Sequence, residues 1–215
     1  LILAMDEVDS TLGHFTSYLK DWSSRSYKEM RLKVPKIFEN TEENVILKGD
    51  IFDSMKNIAV DFAYFDPPYG SNNEKMPPSR VRYASYYHVW ATICKNDKPP
   101  VFGAALRRED TSDRVAATVF EEFRKDNDGH FIAVKAIERL IQNVNAKYVA
   151  LSYSSGGKAT AEELNDILNR HGKLIKTIEL DYKKNVMADM KWTNEWLRDA
   201  EEPNREFIFL IDKQA

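Results

Sequence analysis

The stretch VDFAYFDPPYG, residues 60–70, decides how this chain folds. Residues 60–65 are mostly apolar or aromatic and do not alternate cleanly, which is typical of a strand buried on both faces of a parallel sheet. Proline donates no hydrogen bond to a sheet, so this strand must end before Pro67. We therefore expect Asp66 at the carboxyl end of a central strand, followed by a turn that Pro67 and Pro68 make rigid.

Strands and helices alternate along the rest of the chain, which predicts an α/β sheet that ends in an antiparallel pair of strands. Strands are expected at NVILKGD (44–50), VDFAYF (60–65), AKYVALSYS (146–154), KLIKTIELDY (173–182) and EFIFLID (206–212). Helices are expected at residues 1–22, 112–125, 130–144 and 160–172, with a short helix or loop at 51–57. Thr160 and Glu163 form a capping-box pattern, and Gly172 is the expected C-cap.

The composition narrows the class of protein. The chain has 215 residues, 43% of them hydrophobic, and a formal net charge of −3. This length suits one domain or at most two, and the charge gives no overall sign of a nucleic-acid partner. The single cysteine, Cys94, excludes an internal disulfide framework, and we expect it to be buried in a protein of the reducing cytoplasm. No apolar run approaches the about 20 residues that cross a membrane, and the four histidines lack metal-ligand spacing, so no metal site is expected.

The Asp-Pro-Pro-Tyr turn carries groups that could hold the amine of a nucleobase. The lone pair of such an amine is delocalised into the ring, and two acceptors on its N–H bonds can localise it on nitrogen. The Asp66 carboxylate offers one acceptor, and the Pro67 carbonyl offers a second that the two prolines aim. Tyr69 offers a ring face on which a base can stack, worth about 1–3 kcal/mol. A plain structural turn is the alternative, because Asp-Pro and Pro-Pro are common turn dipeptides.

FAYFDPPYG (62–70) resembles the catalytic motif of amino-directed, S-adenosylmethionine-dependent DNA methyltransferases. Three further stretches are similar to the adenine-N6 group typified by the Dam enzymes: TLGHFTSYLKDWSSRSY (11–27), RYASYYHVWATI (82–93) and VALSYSS (149–155). The resemblance implies a Rossmann-like methyltransferase domain that flips an adenine out of double-stranded DNA and methylates it. It also implies that Asp66, Pro67, Pro68 and Tyr69 form the catalytic turn, with Tyr69 stacked on the flipped base.

The resemblance further implies a binding site for the methyl donor. In the family, the acid that follows the preceding strand contacts the adenine of S-adenosylmethionine. Asp50 matches that position, with Ile51 and Phe52 beside it, and Asp66 is expected to contribute as well.

The sequence departs from the family in one motif. These enzymes carry a Phe-x-Gly-x-Gly loop that cradles the methionine part of the donor, and this chain holds no G-x-G. We therefore expect the carboxyl-terminal portion of a methyltransferase, with a helical, locally basic segment at residues 1–40 and the catalytic core at 41–215. A homodimer, or a partner chain that supplies the missing amino-terminal half, is expected to cover the open edge of its sheet.

Basic residues near the turn and near the amino end are candidates for phosphate contact. Residues 18–36 hold six lysines and arginines against two acids, a local charge of +4. The expected DNA contacts are Lys75, Arg80, Arg82, Arg25 and Lys28. A solvated face is the alternative for the segment at 18–36.

Two other functions fit the same turn. One is methylation of a guanine amine in ribosomal RNA, where related motifs occur. The other is a non-catalytic DNA-binding subunit of a split methyltransferase.

Overall fold

The computed structural model of the chain describes residues 21, 24–32, 34–70, 87–103, 106–111, 118–181 and 205–214. The chain divides into two compact units, Leu1–Ile46 with Tyr83–Arg114, and Leu47–Arg82 with Val115–Ala215. The boundary at residue 40 stays a prediction. Residues 1–20 of the predicted amino-terminal helix lie outside the described residues.

The described residues form a mixed α/β structure, which confirms the predicted class. Its helices are α1 (Ile51–Ser54), α2 (His88–Lys95), α3 (Ile132–Asn143) and α4 (Ala161–His171). The strands of its main sheet are β1 (Ala59–Phe65), β2 (Asn145–Ser154), β3 (Lys173–Asp181) and β4 (Arg205–Asp212).

The main sheet belongs to the second unit and has the spatial order β1-β2-β4-β3. β1 and β2 are parallel, with Phe65 opposite Leu151. β4 is antiparallel to both β2 and β3. The predicted strands at 60–65, 146–154, 173–182 and 206–212 are therefore confirmed with small differences at their ends, and so is the terminal antiparallel pair. The expectation that the strand at 60–65 is central and buried on both faces is wrong, because β1 lies at the edge of the described sheet and Phe62 and Tyr64 are 53% and 54% exposed.

The hydrophobic core of the second unit joins α3 and α4 to the sheet. The helices contribute side chains spaced by threes and fours, as an amphipathic helix requires. The buried residues are Ala133, Val134, Ala136, Ile137, Leu140 and Ile141 from α3, and Leu164, Ile167 and Leu168 from α4. From the sheet, Val149, Leu151, Phe209 and Ile211 are completely buried. The predicted helix at 130–144 is thus confirmed.

The start and end of α4 follow the sequence pattern. The Thr160 hydroxyl accepts from the Glu163 N–H at 3.1 Å, and the Glu163 carboxylate accepts from the Thr160 N–H at 2.8 Å, which completes the capping box. Gly172 ends the helix in an extended conformation. Glycine is required there for space, because a Cβ at this position would lie 2.6 Å from the carbonyl oxygen of Asp212.

The predicted strand at residues 44–50 is wrong. These residues form no strand, and Val45, Ile46 and Leu47 are 70%, 94% and 60% exposed. A strand forms only where a neighbour accepts and donates its backbone hydrogen bonds. Within the described part of the chain, β1 is an edge strand, and no segment pairs with its open side.

The predicted helix at residues 112–125 is also wrong over its described part. Val119–Glu121 forms a single 3-10 turn that Thr118 caps, and the backbone becomes extended at Glu122. The Glu122 carboxylate accepts from the Arg124 N–H at 3.1 Å. This local bond competes with the hydrogen bond that would continue a helix.

The first unit contains α2 and a short antiparallel pair, Val101–Phe102 with Arg107–Arg108. Arg108 is 1% exposed and donates to Asp97 and Asp110 at distances between 2.6 and 2.9 Å. These bonds lower the pKa of both carboxyl groups, so both stay ionised around the buried guanidinium. Cys94, on the solvent side of α2, is exposed, so the expectation that it is buried is wrong.

Within the described ranges, no helix is both long enough and apolar enough to cross a membrane.

Candidate active site

The carboxyl ends of β1 and β2 meet at one edge of the sheet, because the two strands are parallel. Asp66 follows β1 directly, and Ser152 lies near the end of β2. Gly70 ends the turn with a φ of 65°, a left-handed conformation that glycine adopts without strain. The Asp-Pro-Pro-Tyr turn therefore stands at the strand end where an α/β sheet binds its ligands.

The Tyr69 hydroxyl lies between Asp66 and Ser152. It donates to Asp66 Oδ1 at 2.6 Å, and its oxygen is 3.2 Å from Ser152 Oγ. Burial raises the pKa of Tyr69 well above its ordinary value, and the hydrogen bond to Asp66 acts in the same direction. The phenol therefore stays protonated and donates to one oxygen of the Asp66 carboxylate, which orients that carboxylate.

The backbone of the turn is fixed by β2 and the loop that follows it. The Tyr153 ring is completely buried, and its hydroxyl donates to the Tyr69 carbonyl oxygen at 3.0 Å. The same hydroxyl accepts from the Ala159 N–H at 3.2 Å. The Lys158 N–H donates to the same Tyr69 oxygen at 2.9 Å. Gly157 packs against the Tyr153 ring so closely that any side chain there would overlap it.

A cavity of about 800 Å³ opens beside the turn. Small-molecule sites typically enclose about 300–1,000 Å³, so the cavity is large enough for a ligand of nucleoside size or more. Its walls come from residues 49–52, 64–68, 118–120 and 122, together with Arg124, Ile132 and Leu140. Asp50 and Asp66, which lie in different segments of the chain, therefore line the same cavity.

The predicted donor-binding residues differ in their exposure. Asp50 is exposed and caps α1, where its Oδ1 accepts from the Phe52 N–H at 2.8 Å. Ile51 is 37% exposed, whereas Phe52 is 7% exposed and stacks on Phe120 with 5.8 Å between ring centroids. The Arg139 guanidinium lies 4.2 Å from the centre of the Phe52 ring. One apolar wall and one carboxylate therefore line this side of the cavity.

The 118–124 segment is the part of the cavity that sequence reasoning missed. The sequence predicts a helix over 112–125, whereas the described residues of this segment form a single 3-10 turn followed by extended backbone. This backbone brings Thr118, Val119, Phe120, Glu122 and Arg124 to the cavity, and Phe120 also belongs to the hydrophobic core. Arg124 donates to Glu122 at 2.8 Å and lowers its pKa, so this wall carries a paired charge. The N-cap residue Thr118 before an apolar pair is the signal that could have indicated a turn here.

Most of the predicted DNA contacts fall outside the part of the chain that the structure describes. Lys75, Arg80 and Arg82 lie outside the described residues, and so does the side chain of Arg25. Lys28 is described and is exposed. Among the residues that the structure does describe, no group of three or more His, Cys, Asp or Glu side chains is arranged to hold a metal ion.

An Asp-Pro-Pro-Tyr turn at a parallel strand end, beside a cavity, is the arrangement that the resemblance to amino-directed methyltransferases predicts. Sequence comparison agrees with this class. The family model for D12 class N6 adenine-specific DNA methyltransferases matches residues 1–150. The chain therefore belongs to the D12 class of N6 adenine-specific DNA methyltransferases.

Its relatives are modification methylases. The chain is 28% identical over 168 residues to modification methylase StsI of Streptococcus sanguinis, which covers 78% of this chain and 23% of that protein. It is 27% identical over 213 residues to type II methyltransferase M.FokI of Planomicrobium okeanokoites, covering 99% of this chain and 29% of that protein. For type II methyltransferase M.NlaIII of Neisseria lactamica the identity is 24% over 185 residues, covering 86% and 48%. The chain thus spans between 23% and 48% of the length of these relatives. No solved structure matches it.

Proposed function

We propose that this chain, as the whole or as the carboxyl-terminal part of an enzyme, methylates the N6 amine of adenine in double-stranded DNA. The proposal includes S-adenosylmethionine as the methyl donor, a role in restriction-modification, and action in the cytoplasm. The observation that carries it is the position of Asp66, which lies at a strand end and lines a cavity that Asp50 also lines.

The residues of the cavity fit the donor. The rings of Phe52 and Phe120 form an apolar wall, and the Asp50 carboxylate at the same wall can accept hydrogen bonds from a nucleoside. We assign Asp50, Ile51 and Phe52 to the nucleoside part of S-adenosylmethionine and Asp66 to the side near the methyl group. When bound, S-adenosylmethionine supplies a methyl group on a positively charged sulfur.

The turn residues would hold the adenine amine for attack. One oxygen of Asp66 accepts from Tyr69, and we assign the other oxygen to one N–H of the amine. The Pro67 carbonyl accepts from the second N–H, and Pro68 keeps that carbonyl aimed. Positive charge develops on the amine nitrogen during transfer, so these fixed acceptors stabilise the transition state more than the ground state. The ring of Tyr69 offers a face for the flipped base.

The sheet supports a Rossmann-like fold that needs further strands beside β1. In the described part of the chain β1 is an edge, and Phe62 and Tyr64 on it are 53% and 54% exposed. An exposed apolar edge strand promotes pairing with another chain. We propose that a second copy of the chain, or a partner chain with the glycine-rich donor loop, covers this edge.

Donor binding is the first test. Calorimetry with S-adenosylmethionine should give only weak binding to the chain alone, and, together with a chain carrying the glycine-rich loop, binding that Asp50→Ala and Asp66→Ala weaken. Asp53→Ala is the matched control, because Asp53 lies on α1, pairs with Lys56 at 2.6 Å and does not line the cavity. Transfer of a tritiated methyl group to DNA then tests the substrate.

Three results would overturn parts of this proposal. Binding that is unchanged in Asp50→Ala would remove the donor assignment. Label in ribosomal RNA and not in DNA would favour the guanine-amine reaction. Binding that fails even with a chain carrying the glycine-rich loop would favour a non-catalytic DNA-binding subunit.

A further inference from the structure

Two lysine ammonium groups lie against one aromatic ring beside the Asp-Pro-Pro-Tyr turn. The Lys125 Nζ is 4.8 Å from the centre of the Phe131 ring, and the Lys158 Nζ is 5.1 Å from it. Both distances are within the about 6 Å over which a cation is attracted to an aromatic ring. The two positive charges are thus held close together, although the lysines come from different segments of the chain.

The Phe131 ring is fixed, and it fixes the position of Lys125. The ring packs against the hydrophobic core of the second unit. The backbone of Phe131 pairs with that of Lys125 in an isolated β-bridge, and next to it the Asp126 N–H donates to the His130 carbonyl at 2.9 Å. Lys125 itself is exposed, so a well-held backbone presents its ammonium group to solvent.

Lys158 is attached directly to the Asp-Pro-Pro-Tyr turn. Its N–H donates to the Tyr69 carbonyl at 2.9 Å. Its side chain packs on Gly70, where an added Cβ would lie 3.0 Å from the Lys158 Cγ and 3.7 Å from its Cε. The glycine therefore leaves room for the aliphatic part of the lysine, which is half-buried. The ammonium group extends past the turn to the Phe131 ring.

Nearby acidic side chains do not cancel the charge of Lys125. The stretch around it holds two acids that are paired with other basic residues, Glu122 with Arg124 and Asp126 with Lys135. Glu121 is 2% exposed and presents no charge to solvent. Among the residues that the structure describes, no carboxylate forms an ion pair with Lys125. Lys125 therefore adds a positive charge to the surface beside the turn.

We propose that Lys125 and Lys158 bind backbone phosphates of double-stranded DNA beside the flipped nucleotide. This inference rests on the proposed function, in which the flipped base lies against Tyr69. A flipped base enters the site while its sugar and phosphates remain outside. Gly70 follows Tyr69 directly, so an ammonium group that reaches past Gly70 lies where these phosphates pass.

The arrangement supplies position as well as charge. A lysine side chain is flexible, and ordering it on binding costs free energy. The Phe131 ring and Gly70 already restrict Lys158, so less of this cost remains when a phosphate binds. Because the Lys158 N–H is bonded to the Tyr69 carbonyl, a phosphate on its ammonium group is held in a fixed relation to the turn. The two lysines are positioning residues that contact neither the amine nor the methyl group.

The first experiment measures binding of the full chain to a labelled DNA duplex by fluorescence anisotropy, at about 50–200 mM NaCl. Lys125→Met and Lys158→Met remove the charge and keep an unbranched side chain. Each should weaken binding and make the slope of log K against log salt shallower by about 1, and the double variant by about 2. The loss should be the same for duplexes of different sequence, because phosphate contacts carry no sequence information.

Lys147→Met is the matched control. Lys147 is also exposed, and its ammonium group lies 5.0 Å from the centre of the Tyr148 ring, but it stands near the amino end of β2, away from the turn. Its loss changes the net charge by the same amount and should leave the slope unchanged. Lys158→Arg keeps the charge and should keep the slope, which separates lost charge from altered folding. Equal slopes in Lys147→Met, Lys125→Met and Lys158→Met would overturn the proposal, and so would an unmodified chain that binds no duplex.

The second experiment needs neither a variant nor methyl transfer. Lysines are acetylated with an N-hydroxysuccinimide ester, with and without the duplex, and each site is quantified by mass spectrometry. The duplex should slow modification of Lys125 and Lys158 and leave that of Lys147 unchanged. Protection by a structured RNA but not by the duplex would contradict the choice of DNA. If methyl transfer fails while both lysines are protected, the proposed function fails and the phosphate contact stands. If DNA is methylated without this protection, the proposed function stands and the contact is refuted.

Discussion

Removing the hydroxyl of Tyr153 should loosen the Asp-Pro-Pro-Tyr turn and destabilise the second unit. In Tyr153→Phe the Tyr69 carbonyl keeps its bond from the Lys158 N–H at 2.9 Å, so it loses one of two donors. The Ala159 N–H would lose its acceptor, the Tyr153 hydroxyl. Because Ala159 is 1% exposed, this N–H would remain buried without a hydrogen bond. A lost hydrogen bond costs about 1 kcal/mol and a buried donor without an acceptor about 1–3 kcal/mol, so we expect a loss of about 2–3 kcal/mol.

Thermal and urea unfolding measure this loss. For a chain of this size a change of 2–3 kcal/mol corresponds to a fall in Tm of about 5–10 °C. Tyr64→Phe is the matched control, because Tyr64 is 54% exposed and its stability change should stay within about 0.5 kcal/mol. If Tyr153→Phe unfolds at the same urea concentration as the unmodified protein, the Tyr153 hydroxyl does not hold the turn against β2.

Three further changes test other parts of the structure. Gly157→Ala should cost about 1–3 kcal/mol in urea unfolding, because the added methyl overlaps the Tyr153 ring. Lys213→Met should lower Tm by an amount equivalent to about 1–2 kcal/mol, because the ammonium group donates to three carbonyls at the end of α3, at 2.7, 2.7 and 3.1 Å; an unchanged Tm would refute this cap. Glu206→Gln should be at least as stable as the unmodified protein at pH 7. The raised pKa of Glu206 means that the folded state binds its proton more tightly than the unfolded chain, so this group's contribution falls as pH rises from the unfolded pKa through the folded one. Unfolding at pH 4 and pH 7 checks the sign, and a variant that loses stability only at pH 7 would contradict it.

Much of the fold follows from local rules that the sequence carries. Pro67 and Pro68 end β1 because proline cannot donate to a ladder, and this alone places Asp66 at a strand end. Thr160 and Glu163 begin α4 because their side chains bond backbone N–H groups only three residues away. The apolar spacing along α3 is likewise a local signal. These interactions act within one turn or one strand, so they can be read without knowing what lies across the core.

Other features depend on neighbours that are distant in the chain. The prediction of a strand at 44–50 is wrong because a strand needs a neighbouring strand for its backbone hydrogen bonds. The residue pattern within the segment does not indicate whether such a neighbour is present. The 118–124 segment lines the cavity because Phe120 packs on Phe52, a contact between residues far apart in sequence. The apolar spacing of residues 112–125 fits both a helix and the observed 3-10 turn, and only the contact between Phe120 and Phe52 distinguishes them.

The sequence by itself determined the Asp-Pro-Pro-Tyr turn, its place at the end of a strand and the family to which the chain belongs. Only the tertiary structure decided that the Tyr69 hydroxyl donates to Asp66 at 2.6 Å and that Glu206 lies opposite Ser154, on the face of the sheet that carries Ser152. The physical reason is register. The antiparallel pairing of β2 with β4 sets Glu206 opposite Ser154, and that pairing is chosen by the packing of both strands against the core. Residue types along one strand specify which face is buried, but the strand that lies beside it specifies which side chains meet.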